Sequence, residues 1–152
     1  MTVPEPQPTP RDWSAFPLDR SARIAASIDL EPAAAPSILD ANQLDDDGWK
    51  ALCAHWRDEL VADAGRGNVT RLRASDAAYL ARLEEERGAI TADEYARLIA
   101  ATERGTLPTA LAELGIPAAA HIRIERVWLG KTMADAELGR AVKSALSAAR
   151  SA

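Results

Sequence analysis

At 152 residues, with 47% hydrophobic and 27% charged residues, the chain has the size and composition of one globular domain that buries its own core. Aromatic residues make up only 5% and β-branched runs are nearly absent, which argues against a sheet-based core and for helices packed through Ala, Leu, Ile and Val. A net charge of −5 argues against the concentrated basic surface that phosphate binding needs, so nucleic acid is not an expected partner.

The acid excess is uneven. Up to Gly67 there are six Lys and Arg against twelve Asp and Glu, and after it twelve against eleven. The functional reading is an acidic docking face on the first half, beside the plainer reading of a solvated surface. Cys53 is the single cysteine, so no internal disulfide can form, which fits a reducing compartment. No stretch reaches the apolar length of a membrane span, and the first residues lack a signal-peptide pattern. The expected location is the cytoplasm, with export through a dedicated secretion machine compatible with the composition.

Residues 1–11 carry Pro4, Pro6, Pro8 and Pro10, each fixing φ and holding its predecessor extended, so a Pro-rich N-terminal tail is predicted. It reads as a ligand for a proline-binding groove, a strand for a partner sheet, or a solvated terminus. Residues 12–152 are predicted to form one all-α domain of about eight helices. The first starts around Ser14 to Leu18 and runs to Leu30. A short one follows near Ala33 to Asn42, with Pro36 in its first turn. Asp45, Asp46 and Asp47 favour the start of a third, whose apolar stripe is Trp49, Leu52, Cys53, Trp56 and Leu60. Gly65 and Gly67 end it. Asn68 caps a fourth that reaches Arg87, with Leu72, Ala78, Tyr79 and Leu83 inward, and Gly88 closes it.

Thr91 and Glu94 have capping-box spacing and open a fifth helix running to about Glu103. Thr106 and Pro108 open a short sixth that stops at Gly115. Pro117 opens a long seventh through Ile124, Val127 and Trp128, and Asp135 caps the last, with Leu138, Val142 and Leu146 inward. The series long, short, long, long thus occurs twice, over residues 14–87 and 91–152. The residues agree at a fixed offset of 72: Pro36 with Pro108, Leu39 with Leu111, Leu44 with Ile116, Trp56 with Trp128 and Asp63 with Asp135. Upstream the offset is 74, aligning Ala22, Arg23, Ile24 and Ala26 with Ala96, Arg97, Leu98 and Ala100. The expectation is two similar helical repeats in one compact domain, with Trp56 and Trp128 in equivalent buried positions.

Little of the sequence is arranged for chemistry. Cys53 and His55 are two residues apart on a helix and point in different directions, so a thiolate–imidazole pair is not supplied. Cys53 is expected to be a buried core residue. His55 with Glu59, and His121 with Glu125, each offer two ligands from one helix face, but no further His or Cys cluster completes a zinc set. His121 overlays Trp49 at the same offset, which favours packing. The carboxylate runs Asp45 to Asp47 and Glu84 to Glu86 lie at helix ends, the second expected simply in water. No catalytic residue, cofactor or metal is predicted, and the chain reads as a non-enzyme. Trp13 and Phe16, next to the tail, are candidates either to pin it to the domain or to form a docking patch. Together with Asp45, Asp46 and Asp47 they are the expected partner-binding residues.

The block Tyr95-Ala-Arg-Leu-Ile-Ala, the short helix ending near Leu114 and Gly115, and the helix bearing Trp128 resemble a loosely defined family of small helical proteobacterial proteins. Those proteins are often encoded near type VI secretion genes. The first half resembles the same unit through Ser21-Ala-Arg-Ile and Trp56, departing from it at Ser21, where the family has Tyr. The resemblance implies an adaptor, chaperone or accessory role in contractile secretion and carries over no catalytic residues. The expected function is therefore binding of a protein partner. The alternative is an effector-neutralising protein whose acidic half covers a basic target, and the remote third is a metal- or thiol-dependent enzyme.

Overall fold

Helix α1 (Leu18–Leu30) begins the helical body in a computed structural model that describes residues 11–152. A single 3-10 turn, Trp13–Ala15, precedes it, and Pro17 sets the start of the helix. After a 3-10 turn at Pro32–Ala34 come α2 (Ala35–Ala41), α3 (Asp46–Gly65) and α4 (Thr70–Arg87). The second half consists of α5 (Ala92–Arg104), α6 (Leu107–Glu113), a 3-10 turn at Ala118–Ala120, α7 (His121–Ala134) and α8 (Ala136–Ser151). Among the described residues there are eight α-helices and no strand, as the Ala-rich, aromatic-poor composition requires. The predicted tail, apart from Arg11, lies outside the described residues.

Local chemistry sets the boundaries. The Thr91 hydroxyl accepts from the Glu94 amide while the Glu94 carboxylate accepts from the Thr91 amide, a closed capping box worth about 1 kcal/mol. Asp45 and Asp135 cap α3 and α8 through their side chains. Asn68 accepts from the Thr70 amide, and α4 begins there.

The two halves share more than helix order. In each, the first and fourth helices pair most extensively, α1 with α4 and α5 with α8. In each, the short second helix closes by the same turn. The Leu44 amide donates to the Leu39 carbonyl at 2.9 Å, and the Ile116 amide to the Leu111 carbonyl at 2.9 Å. The residue before the donor has positive φ in both, Gln43 at 59° and Gly115 at 66°. Leu39, Leu44, Leu111 and Ile116 are all buried.

The correspondence fails at the third helix. Trp128 is buried and stacks on Tyr95 at 5.0 Å between ring centroids. Trp56, expected in an equivalent environment, is only half-buried and donates its indole N–H to the Phe16 carbonyl. The reason is cover: α7 packs against both α4 and α8, whereas α3 touches α1, α2 and the Trp13–Ala15 turn only lightly. Asp63 and Asp135 diverge likewise, the first buried among arginines and the second an exposed cap.

Two hydrophobic clusters result. The larger gathers Ala22, Tyr79, Leu83, Leu98, Ile124 and Trp128 with their neighbours from α1 and α4 to α8. The smaller joins Phe16, Ile24, Leu39, Leu44 and Leu52, partly covered by Trp13, Trp49 and Trp56. Gln43 is the single non-glycine residue with positive φ among those described, a conformation costing roughly 1 kcal/mol with a Cβ present. Gln43→Gly should therefore stabilise the protein by about that amount, a rise of about 3 °C in Tm on thermal unfolding.

Candidate interaction site

The residues first expected at a docking patch fall into two groups. Phe16 is 6% exposed and packs in the smaller core cluster, so it is not available to a partner. Burial follows from its place directly after the 3-10 turn, which aims the ring under α3. Trp13 is half-buried beside Gly48. Arg11 lies over the Trp13 ring at 4.6 Å and Arg20 over Phe16 at 4.7 Å. The Arg11 guanidinium also donates to the Gln43 carbonyl at 3.2 Å. Trp13 and Phe16 thus pin the start of the described chain to the domain. Asp45 accepts from the Gly48 amide at 2.7 Å, Asp46 pairs with Lys50 at 3.0 Å, and Asp47 is exposed. The acidic trio stays at the surface, separate from the buried Phe16.

Two other expectations change. Cys53 is exposed on α3 instead of lying within its apolar stripe, because the helix turns that side to solvent. Neighbouring atoms desolvate its sulfur and raise the thiol above its ordinary range, which lowers the thiolate fraction. Glu85 and Glu86 are exposed, as expected, but not simply in water: Glu85 accepts two hydrogen bonds from Arg23 at 3.0 and 2.8 Å, Glu86 pairs with Arg82, and the half-buried Glu84 accepts from the Ile90 amide. Arg23 lies on α1, Ile90 in the α4–α5 loop and Arg82 one turn back on α4 itself. His55 stands edge-on to Trp56 at 4.9 Å and its Nε2 has no hydrogen-bond partner. Among the described residues no three His, Cys, Asp or Glu side chains converge as metal ligands.

The side chains that do converge, apart from Tyr79, which was read only as an inward residue of the fourth helix, were not singled out in the sequence. Asp76, on α4, is 2% exposed. Its carboxylate accepts from Arg126 Nε at 2.7 Å and Nη2 at 2.8 Å, a two-pronged pair from α7, and from Arg123 Nη1 at 3.3 Å. Arg123 also donates to Ser75 and lies over the Tyr79 ring. Tyr79 donates its hydroxyl to Asp29 on α1 at 2.7 Å; burial, then this bond, drive the phenol pKa upward. This network binds α1, α4 and α7 together. With both oxygens held by guanidinium groups, Asp76 is arranged to fix geometry.

Next to it, between α4 and α7, opens a groove of about 430 Å³. Val69, just before α4, and Leu72 and Ala77 on α4 line one side, and Val127, Gly130 and Met133 line it from α7. Arg73, Arg126 and Asp76 are its charged lining residues. Met133 is 81% exposed and Leu129, also in the lining, 57%. Two larger grooves exist, one among α1, α2 and α4 and one among α5, α6 and α8. They hold Asp19 and Arg23, and Asp93 and Arg97, at matching positions of the two halves. The first is lined mainly by charged residues and the second mainly by alanines, and their Arg23, Arg82 and Arg97 are committed to Glu85, Glu86 and Glu113. The α4–α7 groove alone gathers several exposed large apolar side chains among these three.

A signal for it was present. Helix α7 carries Ile124 and Trp128 inward, yet also Ile122, Leu129 and Met133, spaced seven and four apart on another face. A helix apolar beyond one stripe has more than its own core to cover. No family model, curated protein or solved structure matches the chain.

Asp76→Ala removes the anion that both arginines hold and should destabilise the protein by about 2–3 kcal/mol, read as a lower urea midpoint. A pH effect follows from other pairs. Hydrogen bonds from Arg71, with Arg66 adding to them, hold the Asp63 carboxyl below its ordinary range, and Arg23 and Arg82 do the same for Glu85. Groups lowered on folding contribute stability that is complete above their unfolded values, near pH 4, and lost as pH falls through the folded ones. Tm should thus drop as pH is taken from about 5 to 2, and Asp63→Asn should make that drop shallower.

Proposed function

We propose that the protein is a non-enzymatic helical protein-interaction module, an adaptor, chaperone or accessory component of a bacterial, type VI-like secretion system. The observation that carries the binding reading is the α4–α7 groove, where Val69, Leu129 and Met133 stand exposed together. Contiguous exposed apolar surface on a small domain marks a place where another molecule sits. The secretion setting, with the cytoplasmic start of such a pathway, rests on the resemblance of the Tyr95 block and the Trp128 helix. No helix among those described is long and apolar enough to cross a membrane, which is compatible with this setting.

An effector-neutralising role is the second reading, and Asp46 and Asp47, held at the surface at the start of α3, favour it. An acidic cover on a basic target steers association and weakens with salt. The two readings separate in one experiment. Full-length protein, Met133→Asp and a triple Asp45→Asn, Asp46→Asn, Asp47→Asn variant are used to isolate partners from native lysate. The adaptor reading expects a secretion component that Met133→Asp loses and the acidic variant keeps. Neutralisation expects one toxin, lost with the acidic variant and at high salt. The absence of any partner would overturn both.

A further inference from the structure

We infer that the α4–α7 groove receives an amphipathic helix of another protein whose apolar stripe is flanked by carboxylates; this rests on the binding-module reading above. Helices α4 and α7 run past one another in opposite directions, with Ser75 and Asp76 meeting Arg123 and Arg126 while the groove continues to Val69 and Met133. The wall made by α4 and its N-cap residue spans Val69 to Ala77, about 12 Å or two turns of helix.

Gly130 points to a close-packed occupant. It lies mid-helix in α7, where glycine is among the weakest helix formers, and a Cβ there would meet nothing within 4 Å. Gly139 is different, since its Cβ would come within 3.3 Å of the Thr132 carbonyl. No packing among the described residues therefore requires Gly130 to lack a side chain. With Ala77, the other small residue of the lining, it leaves a shallow floor that lets a third helix approach to close-packing distance. Val69, Leu72, Leu129 and Met133 offer that helix an apolar bed, and the flexible thioether of Met133 adapts to its shape.

The charge of the occupant follows from the arginines. Arg126 is held by Asp76, whereas Arg73 is exposed and, among the described residues, takes part in no ion pair. Of the three charged residues in the lining Asp76 offsets Arg126, so Arg73 leaves the apolar trough one positive charge on a chain of net charge −5. Carboxylates beside the apolar stripe of the occupant would meet Arg73 and the exposed part of Arg126. A basic helix would be repelled there.

The test is selection of a displayed library of 14-residue helical peptides on the full-length protein, followed by affinity measurements with the enriched peptides. The expected winners carry apolar residues at i, i+3 or i+4, and i+7, with Asp or Glu at flanking positions. Gly130→Leu should weaken them at least tenfold while leaving the helical circular dichroism intact, because the position is open. Arg73→Glu should weaken them by about fivefold to tenfold and reduce the salt dependence. Gly130→Ala should raise the Tm of the free protein by about 3 °C yet weaken the peptides. Winners that are basic, extended or Pro-rich, affinity indifferent to Gly130→Leu, or no enrichment at all would overturn the inference. So would a self-dimer in sedimentation that Gly130→Leu abolishes, since the occupant would then be a second copy. A lysate partner that ignores Gly130→Leu leaves the binding-module reading standing and removes only this one.

Discussion

The ion cluster of Asp76 with Arg126 and Arg123 is the constraint on which the arrangement of the molecule depends. Helix α4 belongs to the first half and packs along α1, while its other side meets α7 of the second half. Burying a carboxylate there without cations would be prohibitive, so the two halves can close only in a register that delivers the guanidinium groups. The two-pronged contact of Arg126 is planar and directional, which fixes rotation as well as distance. Apolar packing by itself tolerates sliding; this pair does not. Tyr79 extends the constraint to α1 through Asp29, so one buried anion sets the mutual placement of three helices and, with it, the walls of the neighbouring groove.

The third helices show what such cover does. Helix α7 sits between α4 and α8 and buries Ile124 and Trp128, whereas α3, of 20 residues, buries only Leu52 and Asp63. Helix α3 compensates with polar fastenings: Asp63 accepts from both Arg66 and Arg71, and Arg71 also holds Glu59 and lies over the Trp56 ring. Half-exposed aromatic rings and arginines supply here what apolar depth supplies in the second half. The same residue types at matching positions thus take different roles, because a side chain's burial is decided by its neighbours and not by its place in a series.

That distinction also explains what could be read in advance. Caps are local events, settled within three or four residues, and Asp45, Asn68, Thr91 with Glu94, and Asp135 all announced their helices in the sequence. The closing turns after α2 and α6 were legible at Gly115, although Gln43 adopts the same positive φ without the glycine that would have signalled it. Long-range pairing left no such trace. Asp76 lies 47 and 50 residues from its arginines and Arg23 lies 62 from Glu85, so nothing near these residues marks them as partnered. Phe16 and Cys53 were misplaced for a related reason: an aromatic before a proline and a cysteine within an apolar stripe take their exposure from where α3 settles. The groove was half legible, in the second apolar face of α7, but its other wall belongs to α4 and required the tertiary register.

The lock and the groove share their walls, and this couples them. Any molecule that touches Val69 or Leu72 on one side and Leu129 or Met133 on the other binds only the closed arrangement of α4 and α7, and so stabilises it by mass action. Arg126 takes part in both, its guanidinium holding Asp76 while part of the side chain lines the groove. Weakening the lock would therefore loosen the groove even though Asp76 itself is almost wholly withdrawn from solvent. Conversely, the glycine at position 130 reduces the intrinsic helicity of α7 at the point where the groove opens. The helix consequently depends on its contacts more than on its own propensity there, and the buried anion beside it supplies a contact that no change of solvent-facing residues can replace.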